Sequence, residues 1–451
     1  MTRLVVVGAG LAGLACAYAL VADGHEVTVF EARARVGGRV WSRREPFGGG
    51  QHAEGGAEFV NADHTEVLAL AATLGLTTEQ ARPAGGSSML DAGGRIVPVH
   101  LWDEATKGRL TADIDRWHLA LDGLANGVDP DDPAVGGPAA ALDRRTAAEF
   151  VAGLDLGTAA RVVVGRFLRT EFMVPPENLS LLHVAWLAAR ERRCRAVAAD
   201  GWETFRLRGG NDQLATGLAA RLGDRVQLGK PVEAITTSAG GTGAGTGGVV
   251  AVTLADGTVH RADAVAAAVP LPVLGRIAVD PALPDELFGV GYGEGAKIST
   301  QLARRVWRDL GRNGSVVSDR AHGELWETTV AQAGDAGIVT ALLSSHDGSA
   351  FAAHPDAERR IVAELERAFP GAAGLAGAQT RTDWSNDEWS LGTYVAFAPG
   401  QLTRTWPLLR RPHGRVVLAG EHTDAFAGFM EGALRSGRRA AALAIEVAGG
   451  T

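Results

Sequence analysis

The segment that most constrains this chain is Gly8-Ala9-Gly10-Leu11-Ala12-Gly13, which directly follows the apolar run Leu4 to Val7. Residues 3 to 7 read as a buried strand, 11 to 22 as a helix and 26 to 30 as a second strand, so the glycines sit at the first turn of a βαβ unit. Each glycine has a separate task there. Gly8 permits the tight turn, Gly10 lets backbone approach a pyrophosphate, and Gly13 lets helix and strand pack closely. The N-terminus of the helix, with Leu11 and Ala12 in its first turn, then faces the phosphates. Glu31 follows the second strand at the distance expected of an acid that binds ribose hydroxyls, and it would repel a 2′-phosphate. FAD, NAD and related dinucleotides all remain open on this evidence.

The next residues narrow the choice. Ala32-Arg33-Ala34-Arg35-Val36-Gly37-Gly38-Arg39 places two glycines and several arginines where they can clamp a pyrophosphate from its other side. A second literal G-x-G-x-x-G, at Gly243, Gly245 and Gly248, is rejected: it lies in the low-complexity segment Gly240 to Gly248, read as a hairpin loop, and runs into the strand 249–254 with no helix to hold phosphate. With no second nucleotide site, the electrons are expected to come from an organic substrate, not from NAD(P)H.

Length and composition set the frame. The chain has 451 residues, enough for two or three domains, and 46% are hydrophobic. A net charge of −8 without a basic stripe argues against a nucleic-acid partner. Two cysteines imply no disulfide framework and fit a reducing compartment, and no signal-peptide pattern is read, so a cytoplasmic location is expected. There is no apolar run of membrane-spanning length, so no membrane partner is expected. Asp63 and Glu66 have capping-box spacing for a helix over 64 to 74. Residues 85 to 204 turn helical and Arg/Ala-rich around a Pro/Gly/Asp loop at 129 to 138, which reads as an insertion. Strand patterns at 226–236, 249–254 and 258–268 read as a meander against the first sheet. A last strand, 416–419, precedes a helix from Met430 to Val447.

Motifs in the right order along nearly the whole chain resemble the flavin-containing amine oxidase family of monoamine and polyamine oxidases. They comprise the fingerprint with Gly37-Gly38-Arg39, then Glu54-Gly55-Gly56-Ala57-Glu58-Phe59, Pro231-Val232-Glu233, and Lys297 within Glu294-Gly295-Ala296-Lys297-Ile298. Trp384 to Tyr394, Ala419-Gly420-Glu421 and Gly428-Phe429-Met430-Glu431-Gly432-Ala433 complete the set. The resemblance implies an α/β and α+β architecture. A Rossmann-like, glutathione-reductase-type FAD domain (1–85, 205–285 and 378–451) would carry an inserted mixed sheet/helix substrate domain (86–204 and 286–377).

The resemblance also implies roles. Gly56, Ala57 and Glu58 run past the flavin ring, Val232 contacts the adenine end, and Trp384, Gly420, Glu421, Gly428, Phe429 and Met430 enclose the flavin. Lys297 holds a water near flavin N5 and assists reoxidation; in a chain with only three lysines against 41 arginines, its retention suggests that a compact ammonium is needed. Tyr394 and Phe429 form the two walls of an aromatic cage, with phenylalanine in place of a second tyrosine. Thr393 stands where some members carry a flavin-linked cysteine, so FAD is expected to be non-covalent.

The expected reaction takes a hydride equivalent from the α-carbon of a neutral amine to the flavin. It yields an imine and then a carbonyl product, with ammonia or a smaller amine, and oxygen as acceptor gives hydrogen peroxide. Phe59 falls where amino-acid oxidases carry a carboxylate-binding arginine, which favours an amine without a carboxylate. Glu58 could face either the cationic amine or the flavin. His183 and Trp186, spaced i and i+3, are candidate pocket residues. An amino-acid oxidase, a C–C desaturase, an enzyme that passes its electrons to another acceptor, and a non-catalytic flavoprotein are the alternatives. No metal site is read, and a homodimer is among the expected assemblies.

Overall fold

The computed structural model describes residues 1–83, 85–238 and 249–449. Its first layer is a parallel sheet with strands in the order Val416–Leu418, Ala264–Ala267, Arg3–Val7, Glu26–Phe30, Val226–Gln227. The central strands are Val/Ala/Leu runs buried on both faces, as a parallel sheet covered on two sides requires. Helix Leu11–Ala22 covers one face and packs against the C-terminal helix Met430–Gly449. Glycine permits that approach: a Cβ on Gly437 would lie 2.2 Å from the carbonyl oxygen of Ala12.

The expected meander is present but is cut in two places. Residues 226–227 join the parallel sheet, whereas Val232–Ser238 starts a separate sheet with Val249–Leu254, Val259–Ala262 and Ala278–Asp280. The break falls at Gly229 (φ +65°) and Pro231, which cannot continue a ladder. The expected strand 258–268 divides at Asp263, whose carboxylate accepts from Arg3 N at 2.8 Å, and Ala264–Ala267 returns to the parallel sheet. The segment Gly240 to Gly248 lies outside the described residues.

A third sheet of seven strands runs in the order Ala376–Asp383, Gly295–Leu302, Gly337–Ser344, Glu324–Glu327, Arg312–Ser318, Ser87–Ala92, Arg95–Pro98. The α-helices Glu104–Ala125, Ala139–Asp143, Ala147–Ala152, Thr158–Phe172 and Leu181–Val197 form the helical part of the 85–204 region. A continuous core joins Val5, Val7 and Phe30 of the parallel sheet to Trp117, Leu168 and Trp186 of these helices. Among the described residues no helix is long and apolar enough to cross a membrane.

One expected local device is replaced by a long-range one. Helix Thr65–Thr73 is not capped by Asp63 or Glu66. Glu431, from the start of the last helix, accepts from the backbone N–H of Glu66 (3.0 Å) and of Val67 (3.0 Å). Asp63 instead lies 3.5 Å from the guanidinium of buried Arg190. Glu431 is fully buried, so its loss strands two helix N–H donors away from water. Glu431→Ala is expected to destabilise the protein by about 2 kcal/mol, read as a lower denaturant midpoint, with Glu431→Gln recovering at least half of the loss.

Candidate active site

One elongated cavity of about 550 Å³ runs from the fingerprint to the seven-stranded sheet. At one end Glu31 turns its carboxylate into the first turn, accepting from Ala9 N (2.7 Å) and Arg33 N (2.9 Å). Gly10 is the N-cap of the first helix and supplies no side-chain cap. A Cβ built on it would meet no protein atom within 4 Å, so backbone donors are open to the cavity there. Gly8, Leu11, Ala12, Ala32, Arg33, Gly38 and Val232 line the same end. Gly13 does not line it; a Cβ on Gly13 would lie 1.9 Å from Gly8 O, so this glycine serves the packing of helix on strand.

The two arginines expected at a pyrophosphate are held by the C-terminal half of the chain. Arg33 pairs with Asp387 and donates to Ser390 Oγ at 2.9 Å. Arg39 donates to Thr393 O (2.6 Å) and to Glu421 Oε1 (2.9 Å), while Glu421 Oε2 accepts from Gly428 N (2.9 Å). Trp384 donates from its indole to Gly55 O at 2.8 Å. These contacts bring Gly56, Ala57, Trp384, Gly420, Glu421, Gly428, Phe429 and Met430 to one stretch of wall. Helix Met430–Gly449 begins there, so a second helix N-terminus opens into the cavity.

At the far end Lys297 projects from the strand Gly295–Leu302. Its ammonium donates to Gly56 O (2.9 Å) and Glu58 Oε2 (2.8 Å) and lies 5.2 Å from the centre of the Trp326 ring. Glu58 is consumed by protein partners. Its Oε1 accepts from Trp326 Nε1 (3.0 Å) and Thr328 Oγ1 (2.7 Å), and Arg206 stands 3.2 Å away. Burial alone would raise this carboxyl, but the Lys297 and Arg206 charges and the hydrogen bonds outweigh it and hold the pKa at about 2. The carboxylate is therefore the counter-ion of Lys297 and Arg206, in a residue that also lines the cavity.

Tyr394 and Phe429 line the cavity beside Lys297. The Tyr394 hydroxyl donates to Thr170 O at 3.0 Å, and burial, then Glu171 and Glu203, push its pKa well up. Phe429 is braced edge-on by His64 (5.4 Å) and Trp202 (5.7 Å). Phe59 packs on Trp326 at 5.9 Å. His183 reaches the cavity wall with a ring that burial keeps neutral, its pKa lowered to about 3. Trp186 does not reach it. Its indole packs on Trp406 at 5.0 Å and donates to Pro130 O, because the i+3 step from His183 points into the helical core. Trp186 is thus a core residue, and the expectation that it binds substrate is withdrawn.

Sequence reasoning missed Glu171, Glu203 and Trp326 in the wall and Arg206 and Thr328 behind it. None sits in a local motif; strand pairing and insertion alone bring them to the cavity.

The wall fits a flavin dinucleotide. It offers an uncapped helix N-terminus and an open Gly10 for the pyrophosphate, and a second helix N-terminus for the ring. Thr393 Oγ1 and His422 Nδ1, both on the wall, are buried with no hydrogen-bond partner among the described residues. The model of the flavin containing amine oxidoreductases matches residues 11–445. Putrescine oxidase of Kocuria rosea is 30% identical, over 97% of this chain and 94% of the relative. An L-amino acid dehydrogenase of Synechocystis is 27% identical, over 97% and 93%. The structure of cyclohexylamine oxidase from Brevibacterium oxydans superposes with a TM-score of 0.87 at 25% identity, covering 99% of each chain. The chain belongs to the flavin-containing amine oxidoreductase family, and is a flavin-dependent enzyme that takes FAD and acts on amines.

The electrostatics make a stability prediction. Glu58 ionises near 4.5 in the unfolded chain and near 2 in the folded one. Its contribution is complete above about pH 4.5 and is lost as pH falls through about 2. Glu58→Gln leaves Lys297 and Arg206 short of a counter-ion, and is expected to cost about 3–5 kcal/mol at pH 7. In urea melts the gap to wild type should narrow steadily between pH 4.5 and pH 3.

Proposed function

We propose that the protein is an oxidase of amines that lack a carboxylate, with oxygen as acceptor and non-covalently held FAD. The products are an imine, hydrolysed to a carbonyl compound and ammonia or a smaller amine, and hydrogen peroxide. The single observation that carries this reading is the charge at the far end of the cavity. Glu171 and Glu203 line it, and both cationic side chains beside Glu58 are already paired with that carboxylate. Arg82 is likewise paired with Glu203, so this end offers carboxyl oxygens that can accept from an amine and, among the described residues, no unpaired cation for an amino acid's carboxylate.

When bound, FAD supplies the oxidant, accepting two electrons from the amine and passing them to oxygen. The residues of this chain do the rest. Gly8, Gly10, Leu11 and Ala12 would hold the pyrophosphate on backbone, with Arg33 and Arg39 alongside. Glu31 and Val232 attend the ribose and adenine end. The start of the last helix, at Gly428 to Met430, would help hold the ring and favour negative charge on it. Tyr394 and Phe429 exclude water and orient the amine, with the tyrosine fixed through Thr170. Lys297, held between Gly56 and Glu58, would offer its Nζ donors to a water at the flavin. Thr393 cannot form a thioether, which supports non-covalent attachment. In this reading the segments 1–85, 205–285 and 378–451 serve the cofactor, and 86–204 and 286–377 serve the substrate.

The test is anaerobic mixing of the holoenzyme with a panel of simple amines and amino acids while the flavin absorbance is followed. Amines are expected to bleach it and amino acids to leave it oxidised. Bleaching by amino acids alone would instead favour the reading that the Synechocystis relative's name suggests. On admitting air, Lys297→Met should slow the return of colour at least about tenfold while anaerobic bleaching changes less than about threefold. Tyr394→Ala should show the reverse, with bleaching about tenfold slower.

A further inference from the structure

A ring nitrogen in the helical wall of the cavity has no protein partner. His183 stands in the first turn of the helix Leu181–Val197 and is only 5% exposed. Its ring lines the cavity with Leu187, one turn further along, and Val395. Nδ1 is occupied, accepting from the backbone N–H of Phe397 at 3.3 Å. Nε2 makes no hydrogen bond among the described residues, yet it is not sealed in as the unpartnered nitrogens of His64 and His422 are. It therefore opens into the cavity that the ring lines.

The ring is held where it stands. Ser180 N donates to Phe397 O at 2.8 Å, so Ser180 and His183 together grip Phe397 by both its C=O and its N–H. Ser180 Oγ caps the helix by accepting from Leu182 N (3.2 Å), and donates to Asp143 Oδ1 (2.7 Å). Phe172 and Phe397 meet the imidazole edge-on at 4.8 and 5.3 Å, and Trp186 lies at 5.7 Å. No carboxylate pairs with it among the described residues, and burial keeps it neutral.

These contacts fix the chemistry of the open nitrogen. A neutral imidazole whose Nδ1 accepts carries its proton on Nε2. Nε2 is then a donor and cannot accept from an ammonium. Being uncharged, it gives a carboxylate no ion pair. A donor set among Phe172, Leu187 and Val395 is costly to leave unmet. The partner that fits is a neutral oxygen, brought by whatever fills the cavity.

We infer that His183 is a specificity residue, whose Nε2–H donates to an ether, hydroxyl or carbonyl oxygen carried by the amine substrate. The inference rests on the reading of the cavity as an amine site, and it names the substrate class as amines with a neutral oxygen further along the chain. The helix that carries His183 belongs to the segment 86–204 assigned to substrate, whereas the wall residues assigned to the flavin come from other segments. The amino end of the substrate meets Tyr394 and Phe429, and the oxygen meets the imidazole. A purely hydrocarbon amine leaves the donor unpaired and is disfavoured. His183 acts on binding and not on the reacting carbon.

The experiment uses photoreduced holoenzyme under argon, which cannot turn an amine over, titrated calorimetrically with matched pairs of amines. The pairs are 2-methoxyethylamine with 1-aminobutane, 3-methoxypropylamine with 1-aminopentane, and 4-methoxybutylamine with 1-aminohexane. Within a pair the chain length is the same, and an oxygen replaces one methylene. An apolar wall alone would favour the hydrocarbon every time. Wild type is instead expected to bind the ether of at least one pair more tightly. In His183→Phe the ether-to-hydrocarbon affinity ratio of that pair should fall about tenfold. In His183→Gln, which keeps an N–H, it should stay within about threefold of wild type. Tighter binding of the hydrocarbon by wild type in every pair, which needs no variant to observe, would overturn the inference. So would a ratio that His183→Phe leaves unchanged; if FAD affinity then fell instead, the imidazole would belong to the cofactor. The expected binding pattern without bleaching of the oxidised holoenzyme by either member of the pair would sink the oxidase reading and leave the role of His183 standing.

Discussion

A carboxylate buried at the meeting of three chain segments organises this molecule. Glu58 comes from the loop that follows the parallel sheet's first βαβ unit, Lys297 from the seven-stranded sheet, and Arg206 from the strand Phe205–Leu207. Each charge would be very costly to bury alone, and each is tolerable only because the others are there. Trp326 and Thr328 complete the coordination of Glu58, so the seven-stranded sheet is pinned to the loop beneath it at more than one point. Gly56 O, two residues from Glu58, also accepts from Lys297. The ammonium is thereby fixed at the cavity wall with its charge partly balanced. A compact, hydrated cation suits that place, where a guanidinium would need more partners.

The other end of the cavity depends on backbone. Two helices begin at the wall, one at Gly10 and one at Met430, and the same two helices pack against each other where Gly437 meets Ala12. The close approach fixes how the two helices sit against each other. Arg39 and Glu421 tie these beginnings together across 382 residues of sequence.

What the sequence revealed divides along the same line. Fingerprint strands, the first helix and the last helix were legible because their signals are local: an apolar run, a glycine turn, a periodic stretch. The family motifs added the far wall, because Lys297, Trp384, Tyr394 and Phe429 each sit in a recognisable string. Contacts made only in three dimensions were not legible. Glu431 caps a helix that begins 366 residues earlier, where local spacing pointed to Asp63 and Glu66. Trp186 shares a helix face with His183 by spacing, yet packs into the core against Trp406. Glu171 and Glu203 reach the cavity from a helix end and a loop with no motif around them, and the role of Glu58 was open until its four partners were in view.

The central claim is that Glu58 and Lys297 act as one unit. A double-mutant cycle tests it: unfolding free energies of the wild type, Glu58→Gln, Lys297→Met and the double variant, measured as holoprotein at pH 7. The double variant is expected to be less destabilised than the sum of the two single variants, by about 2 kcal/mol or more. Additive losses would mean that the two groups stabilise the protein independently, and would contradict it.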